Sequence, residues 1–242
     1  MTIIPLREGN YSVDQRKHFT PIANPTDPAT GLKMAINPFL IKIGNDQLLL
    51  DTGLPDDQPG NPGITECLRR ENTTPEQITH VFLSHLHKDH LDGIGTFVAE
   101  DELVPRFPHA KVYLQQREYD YALTQTDNPS YRPAMLRLLP TLPNLVWLND
   151  NEGNITDQLS YLVTGGHSPF HQVCWIREEA QTVFYGADNL PQKSYLKPGL
   201  AYKSDYDGSK ARQWRQQWIK TAKEENWVIL LYHDLTTPAI TL

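Results

Sequence analysis

Five apolar stretches of this chain each run into a histidine or an aspartate, and that recurrence restricts its fold more than any other feature. Asp51 ends "QLLLD", His85 follows "VFLS", His167 follows "YLVTGG", Asp188 ends "TVFYGAD" and His233 ends "VILLYH". Short apolar runs bounded by Gly, Pro and Asp read as buried β-strands. Side chains just past strand ends gather where α/β folds place their sites. Residues remote in sequence are therefore expected to share one site.

The densest junction is "HVFLSHLHKDHLDGIG", His80 to Gly95. His85 and His87 are two apart, a spacing that diverges on a helix. Both reach one site only from an extended or loop backbone, which the end of a strand supplies. Asp89 and His90 follow from the next turn of loop. Imidazole nitrogens and carboxylates are borderline ligands suited to zinc, with iron or manganese also feasible.

Strands interleave with helices on both sides of this turn. "MAINPFLIKIG" and "DQLLLDTG" read as a hairpin about Gly44-Asn45-Asp46, and "ITECLRREN" as a short helix. "KVYLQ" is a strand and "QREYDYALTQ" a helix, before a proline-rich centre, "DNPSYRPAMLRLLPTLPN". The C-terminal half is expected to begin at "NLVWLND" and to continue through "QLSYLVTGG", "HQVCWI" and "TVFYGAD". A long helix, "SKARQWRQQWIKTAKEEN", and a last strand, "WVILLYHD", complete it. On that helix Ala211, Trp214, Trp218, Ile219 and Ala222 share one face, read as core packing. The alternation predicts α/β layers with helices covering two sheets.

Composition narrows the function. A formal net charge of -7 offers no attraction to a polyanion, so no nucleic-acid partner is expected. No run is long enough to span a bilayer, and the N-terminus lacks a secretory pattern, so no membrane partner is expected either. Cys67 and Cys174 are the only cysteines and read as buried thiols in a reducing cytoplasm.

"HLHKDHLDG", preceded by "LLLDTG" and followed by "GGHSPFH", "YGAD" and "LLYH", resembles the motif set of the metallo-β-lactamase superfamily. The motifs occur in order from residue 51 to residue 233. The resemblance implies a four-layer αββα sandwich, two mixed β-sheets flanked by helices, with two divalent metals, normally zinc. It implies one domain over 1–242, built from two pseudo-equivalent halves with a seam near 127–144. His85, His87 and His167 would hold the first metal, and Asp89, His90 and His233 the second, with Asp188 bridging. Asp51 matches an acid that steadies the metal-binding loop, and His171 in "GHSPFH" is taken as another support.

Elementary chemistry agrees with that division. One closed tetrahedral site needs four ligands, and this chain offers six or seven, enough for two metals with open positions. The ligand imidazoles need partners on their second nitrogens, a role open to Asp51 and nearby carbonyls.

The implied activity is that of a binuclear metal-dependent hydrolase. A metal-bridging hydroxide attacks a carbonyl of a small-molecule substrate, and Asp89 and Asp188 are the acids closest to the chemistry. "TGGHSPFHQVCWI" resembles the stretch in lactonase-like and glyoxalase II-like hydrolases, which favours an ester, lactone or thioester. A small-molecule phosphodiesterase and a mononuclear-iron oxidoreductase resembling persulfide dioxygenases are the alternatives. Lactonase relatives carry a tyrosine where this chain has Pro191, leaving Tyr195 or Tyr202 to replace it. Lys88 is expected to point to solvent, and a homodimer is left open.

Overall fold

The structure, a computed structural model, describes residues 1–58 and 60–242. Pro59, inside the loop that leaves the "DTG" motif, lies outside the described residues. The chain forms two compact units, Met1–Leu148 and Asn149–Leu242, and the proline-rich segment 127–144 falls within the first.

The first unit carries a six-stranded mixed sheet. Its order is Thr2–Pro5, Phe39–Ile43, Asp46–Leu50, His80–Phe82, Lys111–Gln115 and Leu145–Leu148. The first three strands pair antiparallel and the rest parallel. The hairpin turns at Gly44-Asn45, since Ile43 faces Asp46 across it, and Gly44 takes a φ of 56° that suits a residue without Cβ.

"MAINPFLIKIG" is not one strand, as its apolar character suggested. It breaks at Asn37-Pro38, and Leu32–Ile36 joins Gly9–Val13 and Phe19–Ile22 in a separate three-stranded sheet. A proline removes the donor that a continuous ladder requires.

"NLVWLND" also departs from expectation. Leu145–Leu148 pairs in parallel with Lys111–Gln115 and so completes the first sheet. A parallel neighbour needs a crossover of a dozen residues or more. Helices Gln116–Leu123 and Pro133–Leu138 lie in that crossover and bury Ala122, Met135 and Leu136 in the core of this unit. Helix Gly63–Arg70 adds Ile64, Cys67 and Leu68 to the same core.

Glu8 is buried in this unit, accepting from the Leu54 amide at 3.0 Å and from Asn61 Nδ2 at 3.3 Å. Burial pushes its carboxyl well above the usual carboxylate range. The folded chain therefore keeps a proton that the unfolded chain releases at ordinary acid pH. This part of the stability is complete below the unfolded pKa and is lost as pH rises toward the folded pKa, at ~1.4 kcal/mol for each unit of difference. Melting curves of Glu8→Gln and wild type are expected to diverge in the variant's favour between pH 5 and pH 8. Parallel curves across that range would show that Glu8 does not hold its proton.

The second unit carries the other mixed sheet. Its order is Glu152–Asn154, Leu159–Val163, Gln172–Glu178, Gln181–Tyr185, Val228–Leu230 and Ala239–Thr241. Only Gln181–Tyr185 and Val228–Leu230 run parallel, and helix Gly208–Glu225 is their crossover. The helix packs Trp218 and Ala222 against Val173, Phe184, Leu190, Trp227 and Ile229. The expected face is therefore core, with Trp214 half-buried and stacked on Trp218 at 5.8 Å. Arg215 is buried on that face as well, which apolar periodicity did not foretell. Among the described residues no helix is long and apolar enough to cross a membrane.

Candidate metal centre

In the first unit two strand ends bring the donors together. Past Asp46–Leu50 the chain turns at Asp51, whose φ of 56° is left-handed and whose amide donates to Phe82 O at 2.9 Å. Thr52 then holds the histidine segment by its main chain, its amide donating to His90 O at 2.8 Å and its hydroxyl to Leu91 O at 2.9 Å. Gly53 has a φ of 77°, and a Cβ there would overlap the Glu8 carboxylate, so the third position of "DTG" requires glycine.

Past His80–Phe82 the chain bends at Ser84 and passes through His85 without regular structure to His87, whose backbone is extended at φ -65° and ψ 145°. The His85 and His87 rings lie 4.5 Å apart, and each offers a donor atom within 4.8 Å of the other's. Asp89 and His90 come from a single helical turn, Lys88–Leu91, rather than from loop. His87 O accepts from the amides of His90 and Leu91, which starts that turn. Asp89 Oδ2 stands 3.8 Å from His90 Nε2.

Asp51 supports this set from beneath with no exposed surface. One oxygen accepts from the Ser84 amide at 2.7 Å. The other accepts from the Ser84 hydroxyl at 2.6 Å and from His90 Nδ1 at 2.7 Å. That bond places the His90 proton on Nδ1 and leaves Nε2 as the donor for a metal. Because the Ser84 hydroxyl gives its proton to Asp51, its lone pairs face His85 Nδ1 at 3.0 Å. One carboxylate thus sets two imidazoles, the second through a serine.

In the second unit His167 follows Gly165 and Gly166, both at positive φ. A Cβ on Gly166 would lie 2.6 Å from Asn189 Oδ1, the atom that accepts the His167 amide at 3.0 Å. His167 Nδ1 meets Asp205 Oδ1 at 3.0 Å, again directing Nε2 outward. His171 is buried, with Nδ1 3.2 Å from Asn189 Nδ2. It shares the network that holds His167.

Asp188 sits in the turn Ala187–Asn189. Its Oδ2 lies 3.2 Å from His167 Nε2, and its Oδ1 lies 3.1 Å from His233 Nε2. Two ligands of one tetrahedral zinc, bound at about 2.0–2.2 Å, sit roughly 3.3 Å apart. Each His–Asp pair of this unit therefore has the separation of two ligands on one metal. The carboxylate is divided between two imidazoles, one oxygen to each. The nitrogen and oxygen donors fit zinc, iron or manganese. His233 is held by its amide on Pro191 O at 2.9 Å, and Gln192 Nε2 donates to its carbonyl at 3.1 Å.

Pro191 therefore supports a histidine through its carbonyl. Tyr195 and Tyr202 stack on each other at 3.8 Å, with their planes 10° apart. Burial, with the Asp188 and Asp205 carboxylates adding to it, pushes the Tyr195 phenol above its ordinary range and keeps its proton in place. Lys88 is only partly exposed, with Nζ 5.9 Å from the Phe19 ring.

Sequence reasoning missed Ser84, Asn189 and Asp205. Ser84 and Asn189 each adjoin a candidate ligand, and that adjacency was the available signal. Asp205 lies far along the chain from His167, and nothing in the sequence pairs them.

The family model described as the metallo-beta-lactamase superfamily matches residues 33–233. A curated N-acyl homoserine lactonase of Bacillus cereus is 27% identical over 231 residues, covering 86% of this chain and 84% of the relative. A probable metal-dependent hydrolase of Staphylococcus aureus superposes with a TM-score of 0.78 at 18% identity, covering 99% of this chain and 91% of the other. AidC, a dizinc quorum-quenching lactonase in complex with a product, superposes with a TM-score of 0.72 at 23% identity. That alignment covers 86% of this chain and 75% of AidC.

Proposed function

Because the chain belongs to the metallo-β-lactamase superfamily, we propose that it is a binuclear metal-dependent hydrolase of small lactones, with other esters and thioesters as related substrates. The observation that carries this reading is Asp188, with one carboxylate oxygen turned to His167 and the other to His233. His85, His87 and His167 would hold one divalent ion, Asp89, His90 and His233 a second, and Asp188 both. Zinc is the expected metal. Held there, two such ions would supply a water of lowered pKa and Lewis-acid polarisation of a carbonyl.

The protein's own part is orientation and proton handling. Asp51 and Asp205 hold Nδ1 protons on His90 and His167, so each presents Nε2. Asp89 and Asp188 set negative charge among the donors and offset the charge of the ions. Asp89 would assist proton movement as the ring opens. Lactones lead the substrate reading because curated relatives aligned over most of this chain are N-acyl homoserine lactonases.

Metal analysis of the untreated protein, paired with a screen of lactones, thioesters, β-lactams and phosphodiesters, tests the proposal. About two divalent ions per chain are expected, with lactone hydrolysis abolished by a chelator and restored by zinc. Protein that carries only trace metal after growth with zinc, iron and manganese supplied would overturn the reading.

A further inference from the structure

Arg215 lies on the buried face of helix Gly208–Glu225, one turn after Ala211 and three residues before Trp218, and is only 3% exposed. A guanidinium in an apolar stripe costs free energy unless its donors are well used. Here Nη1 donates to Asn189 O at 3.0 Å and Nη2 to Leu200 O at 2.6 Å. Its charged plane stands 5.3 Å from the Tyr195 ring and 5.4 Å from the Tyr202 ring, the stacked pair of the same loop. Burial lowers the Arg215 pKa, and the nearby Asp205 carboxylate works against that change.

The two carbonyls lie on the segment that supplies both supports of His167. Asn189 accepts the His167 amide through Oδ1 and reaches Thr164, Gly165 and His171 through Nδ2. Leu200 precedes Asp205, whose carboxylate accepts a hydrogen bond from His167 Nδ1 at 3.0 Å. Further along, the Tyr206 amide donates to His167 O at 3.1 Å and the Asp207 amide to Gly166 O at 2.8 Å. One rigid, planar fork thus ties the start of this segment, Asn189, to Leu200 in its interior, between the two stretches that grip this histidine.

We propose that Arg215 is a positioning residue for His167, fixing its imidazole by tying the Asn189 and Leu200–Asp205 segments to the helix. Its effect on metal rests on His167 being a ligand, as read above. Lysine is no substitute, because one ammonium group cannot reproduce two donors in a fixed plane.

The test uses Arg215→Lys and Arg215→Met in the full chain, with Asp205→Asn and His167→Ala as references. An Nδ1 proton bonded to a buried carboxylate gives a slowly exchanging proton NMR signal, identified as that of His167 by its absence in His167→Ala. In both Arg215 variants that signal is expected to broaden or vanish in metal-free protein, as in Asp205→Asn, while far-UV circular dichroism is unchanged. Zinc affinity by chelator competition is expected to fall about ten- to a hundredfold, the usual effect of losing a ligand's support. Should the methionine variant fail to fold, the lysine variant decides. A signal unchanged in a folded variant overturns the proposal. So does zinc affinity within twofold of wild type where His167→Ala does weaken zinc. If His167→Ala leaves zinc binding intact, the metal reading fails, and the imidazole signal still decides the role of Arg215.

Discussion

Asp188→Asn is expected to lower turnover by about three orders of magnitude and, on the binuclear reading proposed above, to reduce bound metal from two ions per chain toward one. Its two oxygens lie 3.2 Å from His167 Nε2 and 3.1 Å from His233 Nε2. Asparagine keeps one acceptor oxygen but replaces the other by an amide that donates. One imidazole would then face a donor where it had an anion, and half of the bridge would be lost. Bound metal contributes several kcal/mol to transition-state stabilisation, and a loss of ~4 kcal/mol corresponds to about a thousandfold in rate. Elemental analysis and kcat on the same preparation are the measurements. A variant that keeps two ions and turns over within tenfold of wild type would remove Asp188 from the bridge.

The second large effect belongs to Asp51→Ala. Asp51 is fully buried and receives three donors, the Ser84 amide, the Ser84 hydroxyl and His90 Nδ1. Alanine leaves all three without that acceptor. Each buried donor left without an acceptor costs about 1–3 kcal/mol, so the three together cost ~3 kcal/mol or more, which for a protein of this size corresponds to a melting point lower by roughly 6 °C or more. Zinc affinity should fall about ten- to a hundredfold as well, because His90 and His85 lose the bonds that fix their tautomers. Thermal unfolding of the metal-free protein separates the first effect from the second, which chelator competition reads. A melting point within two degrees of wild type would refute the structural part of this account.

Local chemistry in the sequence foretold much of the fold and the histidine turn. The strand ends, the Gly44-Asn45 hairpin and the apolar face of the last helix are set by neighbours within a few residues, and all are present. Where a choice depended on distant partners, the sequence was silent or misleading. Nothing local says that Leu145–Leu148 pairs with Lys111–Gln115. Nor does an apolar period reveal that Arg215 hides in the stripe, since its donors are spent on carbonyls of a remote loop. Residues that serve the donors divide in the same way. Asp51 carries a recognisable motif, Ser84 is its neighbour in space, and Asp205 has only its position in the fold to announce it.

That placement of Asp205 has an evolutionary consequence. In the first unit, the acid behind the donors is rooted at the end of a core strand. Its counterpart in the second unit hangs from a long connection between a turn and a helix. Insertions and deletions accumulate in such connections, so this segment is the natural place for a lineage to vary its chemistry. Yet any rearrangement must carry a hydrogen-bond acceptor back to His167 Nδ1, a carboxylate or a carbonyl. Grafting a relative's connection into this chain should succeed only when the donor sequence brings such an acceptor with it.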